Sequence, residues 1–126
     1  MGLFSNLLGN AGVVSPEELN QEYEKILAEN ESIEVGFKVF RDVFMFSNKR
    51  LILVDKQGLT GKKTEYLSVV YRQISRFSIE TSGTFDLDAE LKIWISSESV
   101  PSIRKKFNKS VNVYDLQKVL ASHVMK

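Results

Sequence analysis

The stretch Phe85-Asp86-Leu87-Asp88-Ala89-Glu90-Leu91-Lys92-Ile93-Trp94-Ile95 alternates without a break. Phe85, Leu87, Ala89, Leu91, Ile93 and Ile95 fall on one face, and Asp86, Asp88, Glu90, Lys92 and Trp94 on the other. Alternation at period two over this length specifies a β-strand with one face in a core. Upstream, Ile33, Val35, Phe37 and Val39 repeat the pattern against Glu34, Gly36 and Lys38. Val43 to Phe46 and Arg50 to Asp55 are rich in strand formers, and Ser47-Asn48-Lys49 between them reads as a tight hairpin turn. Thr64 to Val70 and Arg76 to Thr81 follow, separated by Tyr71-Arg72-Gln73-Ile74, a turn packed by Ile74. Ser82-Gly83 reverses the chain into the alternating stretch. Beyond it, Pro101 restricts the strand through Ile103 and Phe107 to an edge or a strand start.

Helices flank this run. Ser15-Pro16-Glu17-Glu18 combines an N-cap serine, a proline where no N–H is needed and a glutamate that closes a capping box. Leu19, Tyr23, Ile26 and Leu27 then give a helix of about three turns one apolar face, with Asn30 as its stop. Asn112, followed three residues on by Asp115, opens a C-terminal helix with the stripe Val113, Leu116, Leu120 and Val124. Seven consecutive strands exclude a parallel nucleotide-binding sheet, which needs a helix between neighbouring strands. The chain therefore reads as a mainly β protein. Residues 1–14 are an apolar arm, 15–30 an additional N-terminal helix, and 31–126 a seven-stranded antiparallel barrel or sandwich capped by the C-terminal helix.

Composition agrees with a single domain. The 126 residues are 43% hydrophobic and 26% charged, with 7 Gly and 2 Pro, which argues against a disordered tail or a multidomain enzyme. The absence of cysteine removes disulfide frameworks, thiolate metal sites and thiol nucleophiles. The longest apolar runs, Val43 to Phe46 and Leu51 to Val54, fall far short of the ~20 residues that cross a bilayer. The first residues lack the basic and continuous apolar regions of a secretory signal, and Gly2 lacks the serine or threonine of a myristoylation site, so a cytoplasmic location is expected. Leu3, Phe4, Leu7 and Leu8 fall at helical spacing and are expected to pack against the domain or stay disordered. Net charge is +1, yet residues 1–37 carry −6 and residues 38–126 carry +7, a split that reads as an acidic surface helix beside a basic body and also favours contact between subunits. Nucleic acid is not an expected partner at so small a net charge.

Several blocks in this order, Asp42 to Gly58, Gly61-Lys62-Lys63, Tyr71 to Ile74 and Phe85 to Ile95, closely resemble the bacterial pleckstrin-homology domain family. The resemblance covers nearly the whole chain. It implies a seven-stranded barrel capped by a C-terminal helix and assembly into closed rings, commonly of five subunits. Phosphoinositide-binding relatives use a long basic loop between the first two strands. Here that connection is only Phe40-Arg41-Asp42, so Lys38 and Arg41 form no basic lip and Asp42 offsets part of their charge.

Candidate chemistry is sparse. Asp86, Asp88 and Glu90 at period two form the one metal candidate, although a straight strand splays them by nearly 7 Å per repeat, so a solvated or subunit-facing acidic stripe is the competing reading. Arg104, Lys105, Lys106 and Lys109 form the densest basic cluster, a candidate contact for an anionic lipid surface or a solvated edge; Lys62-Lys63 and Lys49-Arg50 are shorter ones. His123, the only histidine, sits in the last helical turn, where its ring interacts with the helix C-terminus, and no nucleophile motif accompanies it. Trp94 shares the carboxylate face and points to an oligomer interface together with Asp86, Asp88 and Glu90. No cofactor is expected. The function read from the sequence is a non-enzymatic binding or scaffold module in a homo-oligomeric ring, whose ligand, a protein, a peptide or a membrane surface, the sequence does not name. Peripheral binding to anionic membranes is one alternative and a metal-dependent hydrolase centred on Asp86, Asp88 and Glu90 another.

Overall fold

The computed structural model describes residues 4–9, 12–39, 42–57, 62–81, 88–108 and 111–126, with the side chains of Ser5, Asp88 and Asn108 excepted. In chain order the elements are β1 (Val13–Val14), α1 (Pro16–Glu22), β2 (Ile33–Val39), β3 (Asp42–Ser47), β4 (Arg50–Gln57), β5 (Lys63–Val70), β6 (Ile74–Thr81), β7 (Asp88–Ile95), β8 (Ile103–Asn108) and α2 (Val113–Val124). They form a five-stranded sheet, β1-β2-β3-β4-β5, and a three-stranded sheet, β6-β7-β8, in which every neighbouring pair is antiparallel. The seven expected strands are β2 to β8. The two-residue β1, inside the segment read as an arm, pairs Val13 with Phe37 and Val14 with Gly36.

The main core lies between the sheets and under α2. Val35, Phe37, Phe44, Phe46, Leu51 and Leu53 meet Leu91, Ile93, Ile103 and Phe107, and Leu116, Val119 and Leu120 close one end. Asn112 starts α2 as expected, its side chain accepting from the Tyr114 and Asp115 N–H groups. Leu7 is buried in this core and Phe4 packs against it.

A second cluster explains the two four-residue apolar runs. Phe44, Phe46, Leu51 and Leu53 face inward, while Val43, Met45, Ile52 and Val54 face out and are covered by Leu19, Tyr23, Ile26 and Leu27. A strand buried on both faces needs no alternation. Gly36 makes the approach of α1 feasible, since a Cβ there would collide with the Leu19 Cδ1 atom.

Two local expectations change. Ile33 was expected to share a face with Val35, Phe37 and Val39, but the register shifts between Ile33 and Val35, and Ile33 joins the cluster under α1. An extra residue in one strand reverses which side the following side chains take. The N-terminal helix is also shorter than three turns, ending at Glu22 and continuing as a 3-10 turn over Glu24–Ile26. The Arg50 guanidinium takes the Ile26 carbonyl at 2.6 Å, and Asn20 holds the Ile33 N–H and C=O at 2.8 and 2.9 Å. These bonds pull the chain off the helix axis and into β2. Asn30 marks the turn, with φ 62° in the left-handed region.

Candidate functional site

The outer face of the three-stranded sheet carries most of the residues singled out from the sequence. Register places Arg76 opposite Trp94, Ser78 opposite Lys92 and Glu80 opposite Glu90 on the β6 side. On the β8 side it places Arg104 opposite Lys92 and Lys106 opposite Glu90. Lys92 Nζ lies 3.4 Å from Glu80, diagonally across on β6, and 3.9 Å from Glu90 on its own strand, while the directly opposed pairs Glu80 with Glu90 and Lys92 with Arg104 are of like charge. Among the described residues no three His, Asp or Glu side chains come together as a metal-binding group. Asp86 lies outside the described residues, and Asp88 is placed by its backbone at the start of β7.

Trp94 is half-buried, and the Arg76 guanidinium stands 4.7 Å from its ring centroid. This cation–π contact covers part of the ring within the chain itself. The indole Nε1 is shielded from solvent and has no hydrogen-bond partner among the described residues.

The basic cluster is divided by strand alternation. Ile103 and Phe107 are buried and Lys105 between them turns inward, whereas Arg104 and Lys106 are exposed. Lys105 Nζ lies 3.3 Å from Asp42 and 3.8 Å from Asp55, tying β8 to β3 and β4. Lys109 lies outside the described residues.

His123 is a core residue rather than a ring resting at the helix end, as the sequence suggested. Only 4% exposed, it sets Nδ1 2.9 Å from the Val119 carbonyl and Nε2 2.8 Å from Glu34 Oε1. Its ring lies 4.6 Å from Tyr71, 5.8 Å from Phe46 and 5.6 Å from Phe4. It therefore ties α2 to β2, to the turn before β6 and to the N-terminal segment. Burial pushes the Tyr71 hydroxyl far above its ordinary range, with Glu34 and Glu31 adding to the effect, and that hydroxyl donates to the Ser47 carbonyl at 2.7 Å.

A buried ion pair adjoins this group through Ser47. Glu31 accepts from Arg50 Nε at 2.8 Å and Nη2 at 2.9 Å, from Ser47 Oγ at 2.6 Å and from the Ala28 N–H at 2.8 Å. Burial alone would raise its carboxyl pKa, but these donors outweigh burial and hold it at about 2. Tyr23, on the α1 side, is pushed up to about 12 by burial and then by Glu22.

What remains uncovered is the seam between the sheets. β5 ends one sheet and β8 the other. Between them runs a cleft of about 250 Å³ lined by Leu53, Asp55, Glu65 and Leu67 on one wall and by Ser102, Ile103, Arg104 and Lys105 on the other. β5 is exposed along most of its length, with Tyr66 50%, Leu67 39% and Val70 42% accessible. Nothing in the order of residues 64–70 signals that the strand has no cover. The split of the basic cluster was, by contrast, visible in the alternation of Ile103, Lys105 and Phe107.

Comparison with known proteins agrees with this architecture. The family model of the bacterial PH domain matches residues 2–124. The chain is 54% identical to the uncharacterised protein YjqA of Bacillus subtilis over 125 residues, covering 99% of this chain and all of that one. A crystal structure of a pleckstrin-homology domain from Shewanella amazonensis superposes with TM-score 0.84 at 44% identity, covering 99% of this chain and all of that one. A DUF1696 family protein with a pleckstrin-homology domain from Shewanella loihica superposes with TM-score 0.77 at 49% identity, covering 92% of this chain and 98% of that one. Two antiparallel sheets closed by a C-terminal helix, with a family match across almost every residue, place this chain in the bacterial pleckstrin-homology domain family.

Proposed function

We propose that the protein is a non-enzymatic binding or scaffold module that works in the cytoplasm as a closed ring of identical subunits, five by family resemblance. The observation that carries this reading is β5, an edge strand whose Tyr66 and Val70 are exposed on one face. Long apolar edge strands are an aggregation hazard unless a partner covers them. The charge division of the chain, −6 in residues 1–37 and +7 beyond, supports head-to-tail contacts in which unlike surfaces meet and the rotation closes. A two-fold dimer would instead set like patches against their copies. Trp94, with its Arg76 partner, is the further interface candidate on the outer face of β7.

Sedimentation equilibrium tests the assembly. A mass near five times 14.4 kDa supports it, as does dissociation on replacing Tyr66 and Val70 together by lysine. A monomer at micromolar concentration in moderate salt overturns it. An anionic membrane surface is the weaker reading, because Lys105 is committed to Asp42 and Asp55 and leaves Arg104 and Lys106 as the exposed described members of the basic cluster. Salt-sensitive sedimentation with phosphatidylserine vesicles, lost on neutralising Arg104 and Lys106, would favour it instead.

A further inference from the structure

We propose that the seam between β5 and β8 is a docking groove for an extended peptide that adds to the free edge of β8. The peptide would carry an apolar residue, an acidic residue and a basic residue in succession. The inference rests on the binding-module reading above and names the partner that module takes.

Size selects the class of ligand. At about 250 Å³ the cleft is smaller than the ~300–1,000 Å³ typical of sites for organic cofactors, and it matches one or two side chains. One wall is the edge of β8, whose outward backbone N–H and C=O groups have no neighbouring strand among the described residues. Such an edge takes a peptide by main-chain pairing, and alternate side chains give the selectivity.

The positions of the charges set the order of residues. On the β4–β5 wall the register pairs Leu53 with Leu67 and Asp55 with Glu65, so an apolar step is followed two residues on by an acidic one. On β8 the inward Ile103 and Lys105 run alongside, with Lys105 reaching Asp55. Asp55 thus shares Lys105 with Asp42, which lies closer to the ammonium. Glu65 is exposed and carries no ion pair among the described residues, so it is the acid left for a ligand. A strand added parallel to β8 lays one side chain on Leu53, Leu67 and Ile103, and its second neighbour toward the C-terminus, about 7 Å further, beside Glu65, whereas an antiparallel strand would need the reverse order. Its intervening residue points to the outer face beside Arg104, which is exposed and also lacks an ion pair among the described residues. A base opposite Glu65 and an acid opposite Arg104 satisfy both.

The test uses two end-blocked heptapeptides of identical composition, threonine throughout except for the central three residues. One carries leucine, glutamate and lysine in that order, and the other leucine, lysine and glutamate. Because net charge is equal, non-specific attraction cancels. Fluorescence anisotropy with the full chain should show the first binding about tenfold tighter than the second. The double variant Glu65→Lys with Arg104→Glu should reverse the preference. Of two versions of the first peptide N-methylated at alternate sets of amides, one should bind and the other not, as main-chain pairing on one side requires. Equal affinity for the two orders, or no saturable binding of either up to about 1 mM, overturns the inference. Sedimented mass in the same samples separates the two readings. A ring that binds neither peptide defeats the groove alone, and a monomer that binds the first peptide selectively defeats the ring alone.

Discussion

Replacing Glu31 by glutamine should remove one specific piece of the protein's acid sensitivity. The Glu31 side chain is fully buried, and Arg50, at 22% side-chain exposure, meets it with two nitrogens. The carboxyl is held at about 2 against an ordinary 4.5, a distance that converts to roughly 3 kcal/mol of folded-state stabilisation of the charged form. Breaking a buried pair by deleting one partner costs about 3–5 kcal/mol, so two independent routes give similar magnitudes. The sign follows from the depressed value: the contribution is complete above pH 4.5 and is lost as pH falls through about 2. Glutamine keeps the shape but must turn its amide nitrogen toward a donor, either Arg50, Ser47 or the Ala28 N–H, leaving at least one unmatched. Urea unfolding at constant protein concentration should therefore show the variant about 2–3 kcal/mol less stable at pH 7. That gap should narrow steadily between pH 5 and pH 2, because only the native chain has this carboxylate to protonate. Domains hold roughly 5–15 kcal/mol in total, so the difference is easily read. A gap that stays constant down to pH 2 would falsify the electrostatic account and reduce the network to shape.

Gly36→Val should drive Leu19 off the sheet, costing about 1–3 kcal/mol and exposing Met45 and Ile52. Faster proteolysis within residues 16–32 at unchanged β-sheet circular dichroism is the expected signature, and protection equal to the parent would count against the contact. His123→Phe retains the stacking on Tyr71 and Phe46 but loses both ring-nitrogen contacts, so a loss of about 1–3 kcal/mol is expected in urea. An unchanged midpoint would mean that the ring only fills space.

What the sequence disclosed depends on how local each signal is. The alternation at Leu91, Ile93 and their neighbours is intrinsic to one strand, and the turn chemistry at Ser47 to Arg50 to one hairpin, so the strand order and sheet type were legible. The bulge at Ile33 was not, because no glycine or proline marks it and its effect is to move one apolar residue from one buried face to another. Leu19, Tyr23, Ile26 and Leu27 keep helical spacing across a helix that stops at Glu22, since the same stripe packs whether the last turn is α or 3-10. Past the helix end, the Ile26 carbonyl is held by Arg50, 24 residues further along the chain. Glu31 with Arg50, and His123 with Glu34, join residues 19 and 89 positions apart, and no periodicity reports such pairs. The seam is a property of which strands end the sheets, so only the assembled topology reveals it.

That topology also decides how two partners can share one strand. On β5, Tyr66 and Val70 belong to the face that continues the surface under α1, where Tyr23 lies 6.5 Å from Tyr66. Glu65 and Leu67 belong to the opposite face and open into the seam. Because side chains alternate along a strand, a neighbouring subunit seated on the first face does not occupy the second. Elsewhere α1 covers the outside of β3 and β4, α2 closes the end of the core, and Lys92 on the outer face of β7 pairs with Glu80 of β6. The subunit contact and the peptide proposed above therefore do not compete for the same side chains of β5.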